Sequence, residues 1–150
     1  MAPVMCEVKG VFVASDGSST VPMVLLFDGG QRVLPIFIGL FEAVSINSAW
    51  KKEIMPRPFT HDLFLDVFSK FSITLRHLRI DCIEGGVYYA QLVLSDETRE
   101  EYVDCRPSDG IAIALRAGVP VCVEEEVLVE GGRKISELPA MTDLATFLQK

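Results

Sequence analysis

The chain predicts an α+β fold: one domain with a mostly antiparallel or mixed β-sheet and three to four helices. Three observations carry this. Short β-branched and apolar runs are separated by glycine-rich turns, the signature of hairpins. Helical patterns follow pairs of strands instead of alternating with single ones, which argues against a parallel doubly wound sheet. The 150 residues are 49% hydrophobic and 23% charged, enough for one core, and no linker or low-complexity segment divides them.

Val4 to Ala14 is a strand by its β-branched content and partial alternation. A loop at Ser15-Asp16-Gly17-Ser18-Ser19 leads to a second strand, Val21 to Phe27. Asp28-Gly29-Gly30-Gln31 then turns into a returning strand, Arg32 to Ile38, where Pro35 implies a sheet edge or an early end. Gly39 to Lys52 is the first helix. Met55-Pro56-Arg57-Pro58-Phe59 breaks it, and Thr60 is positioned to cap a second helix, His61 to Phe71. On that helix Leu63, Phe64, Val67, Phe68 and Phe71 form one apolar stripe, the face expected to be buried, opposite Asp62, Asp66, Ser69 and Lys70. Strands follow at Ser72 to Ile83, Val87 to Ser95 and Arg99 to Asp104. A third helix closes at Gly118. Short strands are expected at Val121 to Glu124 and Glu126 to Val129, a turn at Glu130-Gly131-Gly132, and a C-terminal helix over Thr142 to Gln149. The run Glu124-Glu125-Glu126 reads as a solvated turn or edge guard.

Composition narrows the function classes. A net charge of −7 gives no overall attraction for a phosphate backbone, so a nucleic-acid role requires a local basic patch or a bound divalent metal. Cys6, Cys82, Cys105 and Cys122 form no C-x-x-C pair and read as free, mostly buried thiols of a reducing cytosol, not as a zinc site. The N-terminus has no basic stretch running into an apolar one, so no signal peptide is expected, and the expected location is cytoplasmic. Val33 to Trp50 holds a single charge, Glu42, but Pro35, Gly39, Ser45, Asn47 and Ser48 interrupt it. It therefore reads as a strand entering a buried helix, not as a membrane span.

The polar residues most able to carry chemistry cluster at helix starts. Glu42 in its apolar run must be paired, protonated or facing an opening. His61 suits a base or metal ligand, Asp62 a second acid beside it; equally, they suit a packed histidine and an acid favouring the helix dipole. Arg57-Pro58 and Arg106-Pro107 each lead into a helix carrying a hydroxyl and an acid, and guanidinium at a helix N-terminus suits phosphate, with Ser108 as a further donor. The alternative is an arginine–aspartate brace. Asp104 is placed to join Asp109 and Glu42 in a divalent-metal site. A weak internal echo aligns Glu42-Ala43-Val44-Ser45-Ile46 with Asp109-Gly110-Ile111-Ala112-Ile113, each after a hairpin, which raises the prospect of a β-hairpin–helix duplication.

Four ordered stretches together resemble the bifunctional nuclease domain family, long catalogued as a domain of unknown function. They are Leu34-Pro35-Ile36-Phe37-Ile38-Gly39 with Glu42-Ala43; Arg57-Pro58-Phe59-Thr60-His61-Asp62-Leu63; Tyr88-Tyr89-Ala90-Gln91-Leu92; and Asp104 to Ala114. The resemblance spans Val8 to Val127, leaving 128–150 as a C-terminal turn and helix. The family pattern usually reads D-A-R-P-S-D-A-I-A-L-A; here Cys105 and Gly110 replace alanines and Ile113 replaces leucine. The resemblance implies an α+β domain, with RNase and DNase activity associated with plant members.

Two functions follow as expectations. One is a metal-dependent nuclease acting on RNA or single-stranded DNA. In it His61, Asp62 and Asp109 do the proton chemistry, Arg57, Arg106 and Ser108 hold phosphate, and Glu42, Asp104 and Asp109 bind Mg2+ or Mn2+. The other is a non-catalytic binding or regulatory module whose polar motifs cap helices and form a subunit interface. A homodimer is expected in either case, because small apolar-rich domains commonly cover surface that way.

Overall fold

The computed structural model describes residues 2–15 and 17–149. Asp16 of the first loop lies outside them. The elements run β1 (Val4–Ser15), β2 (Thr20–Phe27), β3 (Val33–Phe37), α1 (Leu40–Trp50), α2 (Thr60–Lys70), β4 (Thr74–Glu84), β5 (Val87–Ser95), β6 (Glu100–Cys105), α3 (Pro107–Ala117), β7 (Val121–Val123), α4 (Glu125–Gly131), a 3-10 turn (Ile135–Glu137), β8 (Met141–Asp143) and α5 (Leu144–Leu148). No helix among the described residues is long and apolar enough to cross a membrane.

The eight strands form one mixed sheet in the order β3-β2-β1-β7-β4-β5-β6, with β8 added beside β1. Every pairing is antiparallel except β4 with β7. β3 is an edge strand, as Pro35 requires, and its outer side is closed at Val33 by two backbone hydrogen bonds with Arg133, both 2.8 Å. Tyr88 of β5 donates to the Pro35 carbonyl of β3 at 3.4 Å, although the two strands are far apart in the sheet order. The sheet therefore curls, and the ends of β3 and β6, which lead into α1 and α3, approach each other.

α3 packs between α1 and α2 and lies over β4 and β5. It is buried almost throughout, from Pro107 through Ala114 apart from Asp109. Pro107 opens it at a position that needs no amide donor, and Gly118 closes it at φ 70°, a left-handed turn that side chains resist.

The architecture corrects several expectations. Among the described residues there are five α-helices, against the three to four expected. Glu126 to Val129 belongs to α4, where Val127 and Leu128 are buried; four apolar-rich residues were too few to tell the two periods apart. The expected C-terminal helix begins only at Leu144, after β8. The Glu124–Glu126 run is engaged: Glu124 accepts from Arg79 at 2.8 Å and Glu125 from Arg32 at 2.9 Å. On α2 only His61 and Phe68 are buried, while Leu63, Phe64, Val67 and Phe71 of the apolar stripe stay exposed. The helix turns its His61 side to the molecule because α3 supplies polar partners there. Hairpin–helix units β2-β3-α1 and β5-β6-α3 do both exist, but a duplication does not follow from the architecture alone.

Two of the three departures from the family pattern, Cys105 and Gly110, are neighbours in space. A Cβ built on Gly110 would fall 3.1 Å from the Cys105 sulfur and against Leu78 Cδ1. The larger residue at 105 thus occupies space that an alanine at 110 needs. Gly110→Ala is expected to destabilise despite a helix-propensity gain of about 1 kcal/mol, and to destabilise less in a Cys105→Ala background, where the clash with the buried Leu78 remains. A double-mutant cycle in urea checks this; additive effects at the two positions sink the idea.

Candidate active site at three helix starts

Three helices place an acid at the same position, the third residue of the helix: Glu42 in α1, Asp62 in α2 and Asp109 in α3. There an acid suits the helix dipole and can reach back to the free backbone amides. The three have different fates.

Asp109 and Glu42 turn to one arginine. Arg106, the residue before α3, donates from Nε to Asp109 Oδ2 at 2.9 Å and from Nη2 to Oδ1 at 3.2 Å. Its Nη1 lies 3.1 Å from Glu42 Oε1. A Cβ on Gly39 would lie 2.5 Å from Glu42 Oε2, so glycine leaves room for this carboxylate over the start of α1. His61 completes the group, its Nε2 2.9 Å from Asp109 Oδ1 and its Nδ1 2.6 Å from Ser45 Oγ. His61 and Ser45 are buried, while the Arg106 side chain is 65% exposed. Burial acts to raise the Asp109 carboxyl, but hydrogen bonds from Arg106 and His61 and their charges outweigh it and hold it below the usual carboxylate range. An ionised Asp109 can only accept, so the His61 proton belongs on Nε2. Neutral His61 then accepts at Nδ1, and Ser45 must donate its hydroxyl proton there. Glu42, Ser45, His61, Arg106 and Asp109 line one open cleft of about 640 Å³ with Leu40, Phe41 and Phe59 on its walls.

The other sequence candidates lie elsewhere. Asp62 accepts the Phe59 backbone N–H at 2.8 Å and pairs with Arg116 at 2.7 Å. Burial opposes its ionisation, but the Phe59 amide and Arg116 keep its carboxyl lowered. It closes α2 onto α3, and the cap expected from Thr60 comes from Asp62 instead. Arg57 lines a neighbouring cleft. Ser108 is buried beside Pro107 and lines a third depression, which shares Arg106 with the cleft. Asp104 is exposed on β6, its neighbour Cys105 packing at α3, and its charge is felt by Asp81 instead. The metal set of Glu42, Asp104 and Asp109 therefore does not assemble. Among the described residues no three His, Cys, Asp or Glu side chains gather at ligand spacing, and both carboxylates of the cleft are already bonded to cations. These residues do not fit a resident divalent ion.

Ser45 was missed as a site residue. It stands three residues after Glu42 on α1, a spacing that puts both on one face.

The bifunctional nuclease domain profile matches residues 23–136, which contain the whole cleft. The chain belongs to that family. An uncharacterised protein of Mycobacterium tuberculosis is 40% identical over 134 residues, covering 89% of this chain and 80% of that protein. Bifunctional nuclease 1 of Oryza sativa subsp. indica is 28% identical over 111 residues, and bifunctional nuclease 2 of Arabidopsis thaliana 29% over 111. Each of those two matches covers 72% of this chain but only 34% of the plant protein.

The lowered Asp109 carboxyl fixes a sign. A folded pKa below the unfolded one contributes stability above about pH 4, and that contribution is lost as pH falls through the folded value. Asp109→Asn is expected to lose about 2 kcal/mol at pH 7, the scale of hydrogen bonds to a charged group, with the difference from wild type shrinking below about pH 4. Urea melts across pH check this, and a difference that stays constant with pH contradicts it.

Proposed function

We propose that this chain hydrolyses phosphodiester bonds of RNA or single-stranded DNA in the Arg106–His61 cleft. The observation that carries the reading is a guanidinium held by two carboxylates in an open cleft, beside an imidazole bonded to a hydroxyl on one side and a carboxylate on the other. The names of the plant relatives point the same way, at 28–29% identity and over about a third of their length.

Each residue has a task. Three of the bonds Arg106 makes go to Glu42 and Asp109, which fix its plane and leave N–H donors on Nη1 and Nη2 for a phosphate oxygen. The attacking hydroxyl, from water or from a ribose, passes its proton to Ser45 Oγ as the Ser45 proton moves to His61 Nδ1. Asp109 stabilises the imidazolium that forms. Arg106 offsets the charge growing on the phosphoryl oxygens, and the imidazolium returns the proton to the leaving oxygen.

Cleavage of labelled single-stranded RNA and DNA tests this. His61→Gln is expected to cost on the order of 10²–10⁴ in rate, the usual worth of a positioned acid–base group. Arg106→Lys is expected to lose about 10² by breaking the two-sided hold on phosphate. Activity is expected to persist in EDTA. Equal cleavage by wild type and the His61→Ala/Asp109→Ala double variant assigns the activity elsewhere.

A second reading, a non-catalytic module assembled from copies of itself, draws on exposed apolar surface. Leu63, Phe64, Val67 and Phe71 stand outward on α2, and Phe41 at the cleft is 87% exposed. Patches of this kind mark contact surfaces. Sedimentation is expected to show a dimer that Phe64→Glu/Phe71→Lys converts to monomer. A wild-type chain that is monomeric at every concentration removes this reading.

A further inference from the structure

We propose that the cleft beside the candidate active site binds the neighbouring phosphates of a single-stranded nucleic acid through Lys52 and Arg57, tracking the backbone without reading bases. The inference rests on the nuclease reading for its substrate class. This second cleft, about 720 Å³, is walled by the end of α1, the 53–58 connection and the last turn of α3. Pro58 lines both clefts, so a strand leaving Arg106 passes over one residue to reach Arg57.

The charges of this cleft favour a polyanion. Among the described residues neither Lys52 nor Arg57 has a side-chain ion pair, whereas Arg32, Arg79, Arg106 and Arg116 are all paired with acids. The remaining charged groups of the cleft are Glu53 and the Asp62–Arg116 pair, whose two charges cancel. Two unpaired cations thus face one acid in a chain of net charge −7. Unpaired cations lining a groove supply the sequence-independent part of single-strand binding. The cleft has no aromatic side chain on which bases stack; Ile54, 98% exposed, and Met55 are its apolar neighbours.

The backbone that presents Lys52 is strained. Lys52 ends α1 at φ 56°, with its N–H on the Ala49 carbonyl and the Glu53 N–H on that of Ser48. Glycine relaxes this position. Ser72 closes α2 in the same way at φ 57°, so the turn is not itself the evidence; the ammonium it delivers to the cleft is.

The test is fluorescence anisotropy of labelled dodecathymidylate and dithymidylate on the full chain, over a salt series. Wild type is expected to prefer the longer strand. Lys52→Ala/Arg57→Ala is expected to weaken dodecamer binding about tenfold, to leave the dimer alone, and to lower the salt slope by about 1.4, about 0.7 per contact on a single strand. Lys52→Gly separates binding from folding: its Tm is expected to hold or rise while dodecamer affinity drops. Wild-type affinity and salt slope in the double variant overturn the proposal, as does a wild type without length preference. A wild type that binds in the expected way but never cuts removes the nuclease reading and leaves this one. A wild type that cuts while the double variant binds unchanged does the reverse.

Discussion

Arg106 has to satisfy carboxylates on two helices at once, and the geometry of the cleft depends on its doing so. Glu42 and Asp109 each sit in the first turn of a largely apolar helix, where an unpaired charge costs several kcal/mol. Placed side by side without a cation they would also repel. One guanidinium removes both penalties, and its planar fork fixes the distance between the two helix starts. Asp109 then has one oxygen to share with His61, which sets the imidazole tautomer and through it the direction of the Ser45 hydroxyl. The order of dependence runs from one arginine to four other side chains.

The same local device gives different results on the three helices. An acid at the third helical position finds Arg106 from α1 and α3, but on α2 it finds Arg116 and the backbone. Helix starts with similar sequence are thus not equivalent sites. Which one becomes chemically open depends on how exposed the partner arginine is: Arg106 is 65% exposed at its side chain and Arg116 9%. An exposed guanidinium still has donors to offer a ligand; a buried one is a structural brace.

Much of this was legible in the residues. Most strand positions, the edge at Pro35, the helix closing at Gly118 and the placing of Glu42, His61, Arg106 and Asp109 at helix starts all follow from local chemistry. The failures have a common physical cause, since local patterns do not say which face meets which. The apolar stripe of α2 looked like the buried side, yet the histidine side packs inward. Asp62 and Asp104 stand beside cleft residues in sequence and point away from them, one by helix rotation and the other by strand alternation. Arg57 reads as a phosphate-binding guanidinium or an arginine–aspartate brace, but nothing in the sequence says that Pro58 separates it from Arg106. Ser45 was missed because α1 carries two serines and an asparagine, and only the tertiary contact with His61 distinguishes one hydroxyl from the others.

The three residues of β7 have a consequence for how the chain assembles. They pair with Val4–Cys6 at one side and Leu78–Ile80 at the other, and so join the β1–β3 half of the sheet to the β4–β6 half. Each hairpin–helix unit closes over short loops, but the seam between them waits until residue 123 is available to meet residue 4. Long-range closure of this kind is slow. The cleft draws Glu42 and Ser45 from the first unit and Arg106 and Asp109 from the second, so neither half has a site before the seam closes. On a ribosome the cleft is therefore completed late, after most of the domain has emerged, and a chain cut short of β7 carries all five cleft residues with only helix packing and the Tyr88–Pro35 contact to align them.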